Sequence, residues 1–294
     1  MSGKVLVTGS TGQVGTELIR QLEENFSVLS PTRTELDLSD ANAVQVYLSK
    51  HQPAVIFNAA AYTAVDLAET ESLETMALNA HLPALLARHS AEHDVYLLHY
   101  STDYVYPGTG TEPWQEDSST APLNVYGHSK LQGDKAVLKE CPEAVIFRTS
   151  WVYSTHGKNF LNTIRRLAKE KTELRIVVDQ IGAPTPANMI AAISLLALQR
   201  YQQGQAIKGG VYHLAPRGHC SWYDFAKAIV SQAIKQGDKL ALLPEAISPI
   251  PSSDYPTPAQ RPMNSRLCID KLENALGIEL PDWLEALAGS ASGN

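Results

Sequence analysis

Short apolar runs alternate with helical patterns through the first half of the chain. The first cycle is Lys4–Thr8, a β-branched run, followed by a glycine-rich turn and by Thr16–Glu24, whose apolar residues recur at helical spacing. The same cycle predicts later strands at Ser27–Ser30, Ala54–Asn58 and Tyr96–Tyr100, and helices at Ala41–Lys50 and Ser72–Glu92. Strands that alternate with helices predict an α/β fold with a doubly wound parallel sheet, covered by helices on both faces.

The second half is less regular. A helix is predicted at Val125–Glu140, after the long polar segment Pro107–Asn124, which has the length of a functional loop. Further strands are predicted at Ala144–Thr149, Arg175–Asp179 and Gly210–Leu214, helices at Asn159–Lys171, Asn188–Gln203 and Trp222–Lys235, and an extended proline-rich segment at Pro244–Pro262. We expect a dinucleotide-binding domain from residues 1–153 and 186–214, and a smaller C-terminal substrate-binding lobe from 154–185 and 215–294.

Composition excludes several classes of protein. The 294 residues carry a net charge of −7 with both signs interspersed, and without a basic stripe we expect no nucleic-acid partner. The longest mainly apolar run, Met189–Leu198, is too short to span a bilayer. The cysteines Cys141, Cys220 and Cys268 are far apart and form no CxxC motif, which is typical of unpaired thiols in a reducing cytosol. We therefore expect a cytoplasmic enzyme without a membrane segment.

A glycine triplet separates the first strand from the first helix. In Gly9-Ser-Thr-Gly12-Gln-Val-Gly15, one glycine permits a tight turn and the others let the backbone approach a pyrophosphate and let helix and strand pack closely. The helix N-terminus adds partial positive charge. The spacing is GxxGxxG, and an ordinary glycine-rich turn is the alternative. Its position between a strand and a helix favours a Rossmann-like dinucleotide site. The small residues of Asn58-Ala-Ala-Ala61, at the end of a later strand, would let the cofactor pass close to the backbone.

A tyrosine and a lysine occur four residues apart in Tyr126-Gly-His-Ser-Lys130, near a predicted helix start. This spacing places both side chains on one helix face, where the ammonium is expected to lower the pKa of the phenol. A tyrosine with a lowered pKa can exchange a proton with a carbonyl or an alcohol. Thr102, at the end of an earlier strand, can donate a hydrogen bond to the same oxygen. Alone, the pair is compatible with coincidence and a solvated lysine; with Thr102 and the glycine loop it predicts an oxidoreductase.

The sequence resembles the extended short-chain dehydrogenase/reductase superfamily, and within it the dTDP-4-dehydrorhamnose reductase family. The matching stretches extend through nearly the whole chain: Gly9–Gly15, Asn58–Asp66, Ser101–Tyr106, Pro122–Lys130, Phe147–Tyr153, Asp179–Thr185 and Arg261–Leu267. The runs Arg-Thr-Ser-Trp-Val-Tyr and Asp-Gln-x-Gly-Ala-Pro-Thr favour this family in particular.

The resemblance implies reduction of the C4 keto group of dTDP-4-dehydro-L-rhamnose to dTDP-L-rhamnose with a nicotinamide hydride, for cell-surface polysaccharide or O-antigen precursors. It implies Thr102, Tyr126 and Lys130 as catalytic residues, and Thr102, Asp103 and Trp151 as substrate contacts. A purely packing role for Trp151 is the alternative. With the glycine loop and Arg33 included, the predicted cofactor-binding positions are Gly9, Thr11, Gly12, Gln13, Val14, Gly15, Arg33, Asp37, Leu38, Ala60, Ala61, Tyr62, Thr63, Tyr126 and Lys130.

The second strand departs from the family pattern. It usually carries an acidic residue near its end, where this chain has Ser30-Pro-Thr-Arg33. Without a carboxylate to repel a 2′-phosphate, and with Arg33 able to pair with one, we predict that NADPH is preferred and NADH is also used. The alternative is that Arg33 pairs with Glu35. Asp37 remains available to the adenosine side.

A metal site is the second departure. Some family members hold Mg²⁺ at a subunit contact through a helix glutamate, which Glu17 matches, and a second carboxylate. This chain has Pro186-Ala-Asn-Met189 in the second region, and a neutral amide and a thioether are poor partners for Mg²⁺. We predict that the chain binds no metal. The sequence does not decide whether it forms a homodimer.

Three other functions compete with this interpretation. A sibling reductase of another nucleotide-linked 4-keto-6-deoxysugar would share these residues, because sequence does not fix which carbonyl face meets the hydride. A dehydratase would want an Asp-Glu pair after Thr102, where this chain has Asp103-Tyr104. A non-catalytic regulatory subunit of the same fold is disfavoured by the intact Thr102, Tyr126 and Lys130 set.

Overall fold

The computed structural model of the protein describes residues 3–290. Its strands are β1 Val5–Thr8, β2 Val28–Leu29, β3 Val55–Asn58, β4 Tyr96–Thr102, β5 Val145–Thr149, β6 Val152–Tyr153, β7 Leu174–Val177, β8 Ile181–Gly182, β9 Thr185–Pro186, β10 Gly210–His213, β11 Cys220–Ser221, β12 Ile247–Ile250 and β13 Asn264–Ser265. A central six-stranded sheet has the order β10-β5-β4-β3-β1-β2, and every neighbouring pair in it is parallel.

Helices cover both faces of this sheet, which confirms the doubly wound fold. They are α1 Gln13–Leu22, α2 Ala41–His51, α3 Val65–Ala68, α4 Ser72–Met76, α5 Leu82–His93, α6 Val125–Glu140, α7 Phe160–Glu170, α8 Ala187–Gln202, α9 Trp222–Lys235, α10 Asp270–Leu276 and α11 Trp283–Ser290. Apolar residues of α1, α8 and α10 share one core with one side of the sheet, and those of α2, α5 and α6 share the other. The four central strands are buried along their whole length because both faces are covered.

The strand order reverses between β1 and β3. The chain leaves β1 toward β2 at one edge, and β3 then starts the progression toward β4, β5 and β10. Thr8 and Asn58, the last residues of β1 and β3, are register partners at this point. Ligands of doubly wound sheets bind at such a switch point, beyond the carboxyl ends of the strands.

The C-terminal part adds small sheets around a separate aromatic core. Strands β11, β8 and β13 form one sheet, and β12 of the proline-rich segment pairs in parallel with β7. Helices α7, α9 and α11 pack together with these strands. Ile269 and Leu272, however, belong to the core of the central sheet, so segment 215–294 contributes to both cores. The division into two domains stays a prediction.

The predicted helix over Ser72–Glu92 is confirmed, and a π-helical turn lies inside it. The chain forms α4, then a π-helical turn at Ala77–His81, then α5. Pro83 has no N–H to donate and its ring crowds the preceding turn, which is a physical reason for the interruption. The carbonyl of Asn79, inside this turn, would lie 2.1 Å from a Cβ added at Gly133, so the glycine lets α6 approach.

Candidate active site

A cleft of about 970 Å³ opens at the carboxyl ends of the central strands. The predicted residues that line it are Gly9, Thr11, Gly12, Gln13, Val14, Arg33, Asp37, Leu38, Ala60, Ala61, Thr63, Thr102, Asp103, Tyr126, Lys130 and Trp151. Two predicted positions, Gly15 and Tyr62, are not on its wall. Such a cleft has the size of a ligand-binding pocket, and the fold brings together residues that are far apart in the sequence.

The glycine loop forms one end of the cleft. Gly9 has a φ of +68°, and a Cβ there would lie 2.7 Å from the carbonyl oxygen of Ala59. A Cβ at Gly15 would lie 2.1 Å from the carbonyl oxygen of Gly9, so Gly15 supports the turn from behind. Gly12 is the N-cap of α1 and no side chain caps that helix. The N-terminus of α1 therefore faces a cradle that side chains would fill, and the fit is to a phosphate group.

The floor beside the glycine loop is built by small residues after β3. The backbone N–H of Ala60 donates to the Thr8 hydroxyl at 3.2 Å, which fixes this segment to the end of β1. Tyr62 points elsewhere: its backbone N–H donates to the Asn79 side chain at 2.8 Å, and its hydroxyl donates to Glu71. Tyr62 therefore helps to hold this segment in place through its backbone, and it is not on the cleft wall.

Charged side chains also line the cleft, and they form what is called its rim below. Arg33 lines the cleft and its guanidinium pairs with Glu74 at 2.8 Å. The alternative partner, Glu35, instead accepts from the backbone and hydroxyl of Thr32. The Asp37 carboxylate accepts from the backbone N–H and hydroxyl of Ser39, which lowers its pKa.

Tyr126 lies in the first turn of α6, which Asn124 caps by accepting from the backbone N–H of Gly127 at 2.7 Å. Burial raises the pKa of Tyr126, and the nearby Thr102 hydroxyl acts in the opposite direction. The expected lowering of this pKa is therefore wrong, because the cost of burying a phenolate dominates. A phenol with a raised pKa is protonated at neutral pH, which suits a proton donor.

Lys130 lies one turn further along α6 and is 2% exposed. Its ammonium donates to the carbonyl oxygen of Tyr100 at 2.6 Å, which anchors the side chain to the end of β4. Burial lowers the pKa of Lys130 to about 8, and Asp134 acts in the opposite direction.

Asp103 follows Thr102 at the end of β4. Its carboxylate accepts from the Thr102 hydroxyl at 3.1 Å, and its other oxygen is buried without a hydrogen-bond partner among the described residues. Burial raises the pKa of Asp103 to about 6, while the nearby hydroxyls of Ser265 and Thr102 oppose the shift. A buried oxygen that is unpaired in the cleft wall is available to a ligand hydroxyl.

Trp151 both packs and lines the cleft, so the two roles weighed for it coexist. It has a φ of +48°, an uncommon conformation for a bulky residue. Its ring stacks on Trp222 with centroids 3.6 Å apart. A Cβ at Gly182 would lie 2.7 Å from the Trp151 ring, so only a glycine fits behind it. Strain that the surroundings hold in place is common at ligand sites.

Several cleft residues had no assigned role in the sequence. Arg261 lines the cleft and forms a two-pronged ion pair with Asp66, with both N–O distances at 2.9 Å. The Gln13 side chain accepts from Asn159 at 2.8 Å and so links the start of α1 to the start of α7. Arg261 lies in a stretch that carries the resemblance, but no sequence pattern relates Asn159 or Trp222 to the glycine loop.

Residues 3–290 contain no group of three or more His, Cys, Asp or Glu side chains arranged to hold a metal ion. Glu17 pairs with Arg20 at 3.0 Å, and the Asn188 side chain accepts from the backbone N–H of Met189. The residues at this place do not fit a magnesium site. In the same part of the chain, no helix is long and apolar enough to cross a membrane.

Comparisons with known proteins agree with this geometry. Residues 3–292 match the family model described as RmlD substrate binding domain. A dTDP-4-dehydrorhamnose reductase of Shigella flexneri is 44% identical over 283 residues, which are 95% of this chain and 94% of that protein. The chain belongs to the dTDP-4-dehydrorhamnose reductase family. A reductase of Burkholderia thailandensis with the same name is also 44% identical, over 97% of this chain and 96% of that protein.

A solved structure extends the likeness to three dimensions. The dTDP-4-dehydrorhamnose reductase of Bacillus anthracis, solved in complex with NADP, superposes with a TM-score of 0.89 at 31% identity and covers 100% of both chains. The fold expected from the resemblance and the family membership are thereby confirmed. The individual residue roles stay predictions.

Proposed function

We propose that this chain reduces the C4 ketone of dTDP-4-dehydro-L-rhamnose to dTDP-L-rhamnose, a precursor of cell-surface polysaccharide. The observation that carries the proposal is the convergence of Thr102, Tyr126 and Lys130 in one cleft with the glycine loop, in a member of this reductase family. The bound nicotinamide cofactor supplies the hydride that the ketone carbon accepts. The protein has to bind and orient the two ligands and to deliver one proton.

Tyr126 delivers the proton. Its raised pKa keeps the phenol protonated before the reaction, so a proton is available when negative charge develops on the C4 oxygen. The Thr102 hydroxyl, at the end of β4, donates a hydrogen bond to the same oxygen and polarises the ketone. The ammonium of Lys130, on the same face of α6, then stabilises the phenolate that remains.

The cofactor is held by the glycine loop, the N-terminus of α1 and the floor at Ala60 and Ala61. NADPH is preferred because Arg33 on the rim can pair with its 2′-phosphate, and NADH is also used because Asp37 reaches the same rim. The NADP in the Bacillus anthracis relative supports use of the phosphorylated cofactor.

A turnover assay tests the proposal. The purified protein is mixed with NADPH and dTDP-4-dehydro-L-rhamnose, cofactor oxidation is followed by absorbance, and the product is identified by NMR. We expect stoichiometric oxidation with dTDP-L-rhamnose as product. Formation of the C4 epimer would instead assign a sibling reductase. A chain that binds NADPH but never oxidises it would be a non-catalytic subunit.

A further inference from the structure

A buried charge cluster lies beneath the catalytic pair, and the mechanism above does not use it. Asp134 is one turn after Lys130 on α6, so the two side chains share a helix face. The exposed fractions of Asp134 and Arg148 are only 1% and 5%. Arg148 donates from Nε to Asp134 Oδ2 at 2.9 Å and from a terminal nitrogen to the Tyr106 hydroxyl at 2.8 Å. Burying ionised groups is costly unless they are paired, so this arrangement needs an explanation.

A chain of hydrogen bonds from the cofactor floor fixes the protonation of a histidine in this cluster. Since the Ala60 N–H donates to Thr8 Oγ1, the Thr8 hydroxyl hydrogen is directed to Asn58 Oδ1, at 2.7 Å. The Asn58 amide nitrogen therefore faces His99 Nδ1 at 3.0 Å and donates to it. Because Nδ1 accepts, the single ring proton of a neutral His99 is on Nε2.

That N–H is directed at the carboxylate. His99 Nε2 lies 4.0 Å from Asp134 Oδ1, and neither atom has a hydrogen-bond partner among the described residues. Burial holds the pKa of His99 well below its usual value, and the charge of Lys130 acts in the same direction, so the ring stays neutral. Asp134 is thus oriented by a guanidinium on one oxygen and faced by an N–H dipole on the other.

We propose that Asp134 is a positioning residue that keeps Lys130 in its ammonium form during turnover, with Arg148 and His99 fixing the position of its carboxylate. The inference rests on the proposed function, because the ammonium matters only if Lys130 serves the reduction. The titratable groups around Lys130 are Tyr126 and Asp134 on α6, His99 on β4 and Asp103 after it, with Arg148 on β5 behind Asp134.

The sign of the effect follows from the burial of Lys130. Burial lowers its pKa to about 8, and the Asp134 carboxylate keeps that pKa from falling further. Without the carboxylate the ammonium loses its proton at lower pH. The alkaline limb of activity, where Lys130 deprotonates, then moves to lower pH, whereas activity at acidic pH, where the ammonium persists, changes little. Asp103 titrates on the acid side and does not enter this limb.

The test is the pH profile of kcat/KM for NADPH-dependent reduction, between about pH 6 and pH 9, in Asp134→Asn. We expect the alkaline limb to move down by about one pH unit, the scale for removing an opposite charge one helical turn away. At about pH 6 the variant should keep kcat/KM within roughly threefold of the wild type, by the same reasoning. Glu140→Gln is the matched control: it makes the same change on the outer side of α6, where the carboxylate pairs with Arg88, and should leave the profile unchanged.

A second variant covers the case in which Asp134→Asn does not fold. Thr8→Val keeps the shape of the side chain but frees the Asn58 amide to turn over, which reverses the proton position on His99. We expect the alkaline limb to move in the same direction by a smaller amount.

Three results would overturn the proposal: an equal loss of activity at every pH in Asp134→Asn, an unchanged limb in that variant, or an unchanged limb in Thr8→Val where only that variant folds. Wild-type turnover, measured first, tests the proposed function separately.

Discussion

The part of the cleft proposed to bind the cofactor and the part proposed to bind the substrate differ in how they are built. They are called the cofactor half and the substrate half below. The cofactor half uses backbone: Gly9 and Gly15 bring main-chain atoms to distances that no side chain allows, and a helix N-terminus supplies the charge. The substrate half uses side chains that are buried, strained or stacked, such as Asp103 with its unpaired oxygen and Trp151 with its left-handed backbone.

The difference shows how each half tolerates change. The glycine loop leaves no room for a side chain, so adding a single carbon should displace its backbone and weaken cofactor binding. A half built from buried polar groups stores unfavourable energy that a ligand relieves, so removing a polar group there should stabilise the protein while reducing its activity.

The reacting centre lies between the halves and should give the largest effect. Tyr126→Phe removes the proton donor and keeps the ring, so we expect kcat to fall by at least ~10²-fold, with NADPH affinity nearly unchanged. Steady-state kinetics and a fluorescence titration of NADPH measure both. Lys130→Met should weaken both. Tyr47→Phe, on α2, is the control for losing a tyrosine hydroxyl. Near-normal turnover of Tyr126→Phe would remove Tyr126 from the mechanism.

The cofactor half is tested by adding one carbon. In Gly15→Ala the new Cβ would meet the carbonyl oxygen of Gly9 at 2.1 Å, so the loop backbone has to move. Overpacking of this kind costs about 1–3 kcal/mol, and we expect the Kd for NADPH to rise about tenfold or more. Gly289→Ala is the matched control because a Cβ there meets nothing within 4 Å. A variant that binds NADPH normally would show that the cradle is adaptable.

The same contrast explains what the sequence could predict. Helices α6 and α9 begin and end where they were predicted, and local caps at Asn124 and Ser221 fix their starts. The meeting of the glycine loop with Thr102, Tyr126 and Lys130 in one cleft was predictable because these residues follow predicted strands or begin a predicted helix; their catalytic roles stay predictions.

What could not be predicted depends on contacts between distant residues. The Trp151–Trp222 stack and the Arg148–Asp134 pair follow from how the sheet places α6, β5 and α9, and no local pattern records them. The two-residue strands, such as β6 and β9, exist only because their partners lie beside them. The direction of the Tyr126 pKa shift was mispredicted because burial, which sequence does not show, is the largest influence on it.

The substrate half is tested through stability. Burial raises the pKa of Asp103 from 3.8 to about 6, so the folded state favours the protonated acid. In the wild type, stability is fully present below the unfolded pKa and is lost as the pH rises through the folded pKa. Asp103→Asn removes this loss, and at neutral pH it should stabilise the protein by on the order of 1–3 kcal/mol while reducing activity.

Thermal unfolding of both proteins across a pH series measures the effect. The Tm of Asp103→Asn should exceed that of the wild type above about pH 7, and the gap should close toward pH 4. A gap that is independent of pH would mean that the aspartate charge is not the cause.

The rim of the cofactor half should give a smaller effect, because it is exposed. Arg33→Ala should raise the KM for NADPH severalfold and leave NADH kinetics nearly unchanged, since only NADPH has a 2′-phosphate. Glu74 pairs with Arg33 and competes with the 2′-phosphate for it, so Glu74→Gln should lower the KM for NADPH slightly. Added salt should shrink both effects. If Arg33→Ala affects both cofactors equally, or if the wild type prefers NADH, Arg33 does not read the phosphate.

Removal of metal should have no effect at all. A Mg²⁺ ion at this place would need carboxylate oxygens, which hard cations prefer. Here Glu17 is paired with Arg20, and the amide of Asn188 is occupied by the backbone N–H of Met189. We therefore expect EDTA to leave kcat, KM and the size-exclusion profile of the purified enzyme unchanged. Glu17→Gln should be equally silent in all three measurements. A loss of activity or a change of assembly in EDTA that added Mg²⁺ reverses would contradict this, and a Glu17→Gln variant insensitive to EDTA would then place the ion at α1.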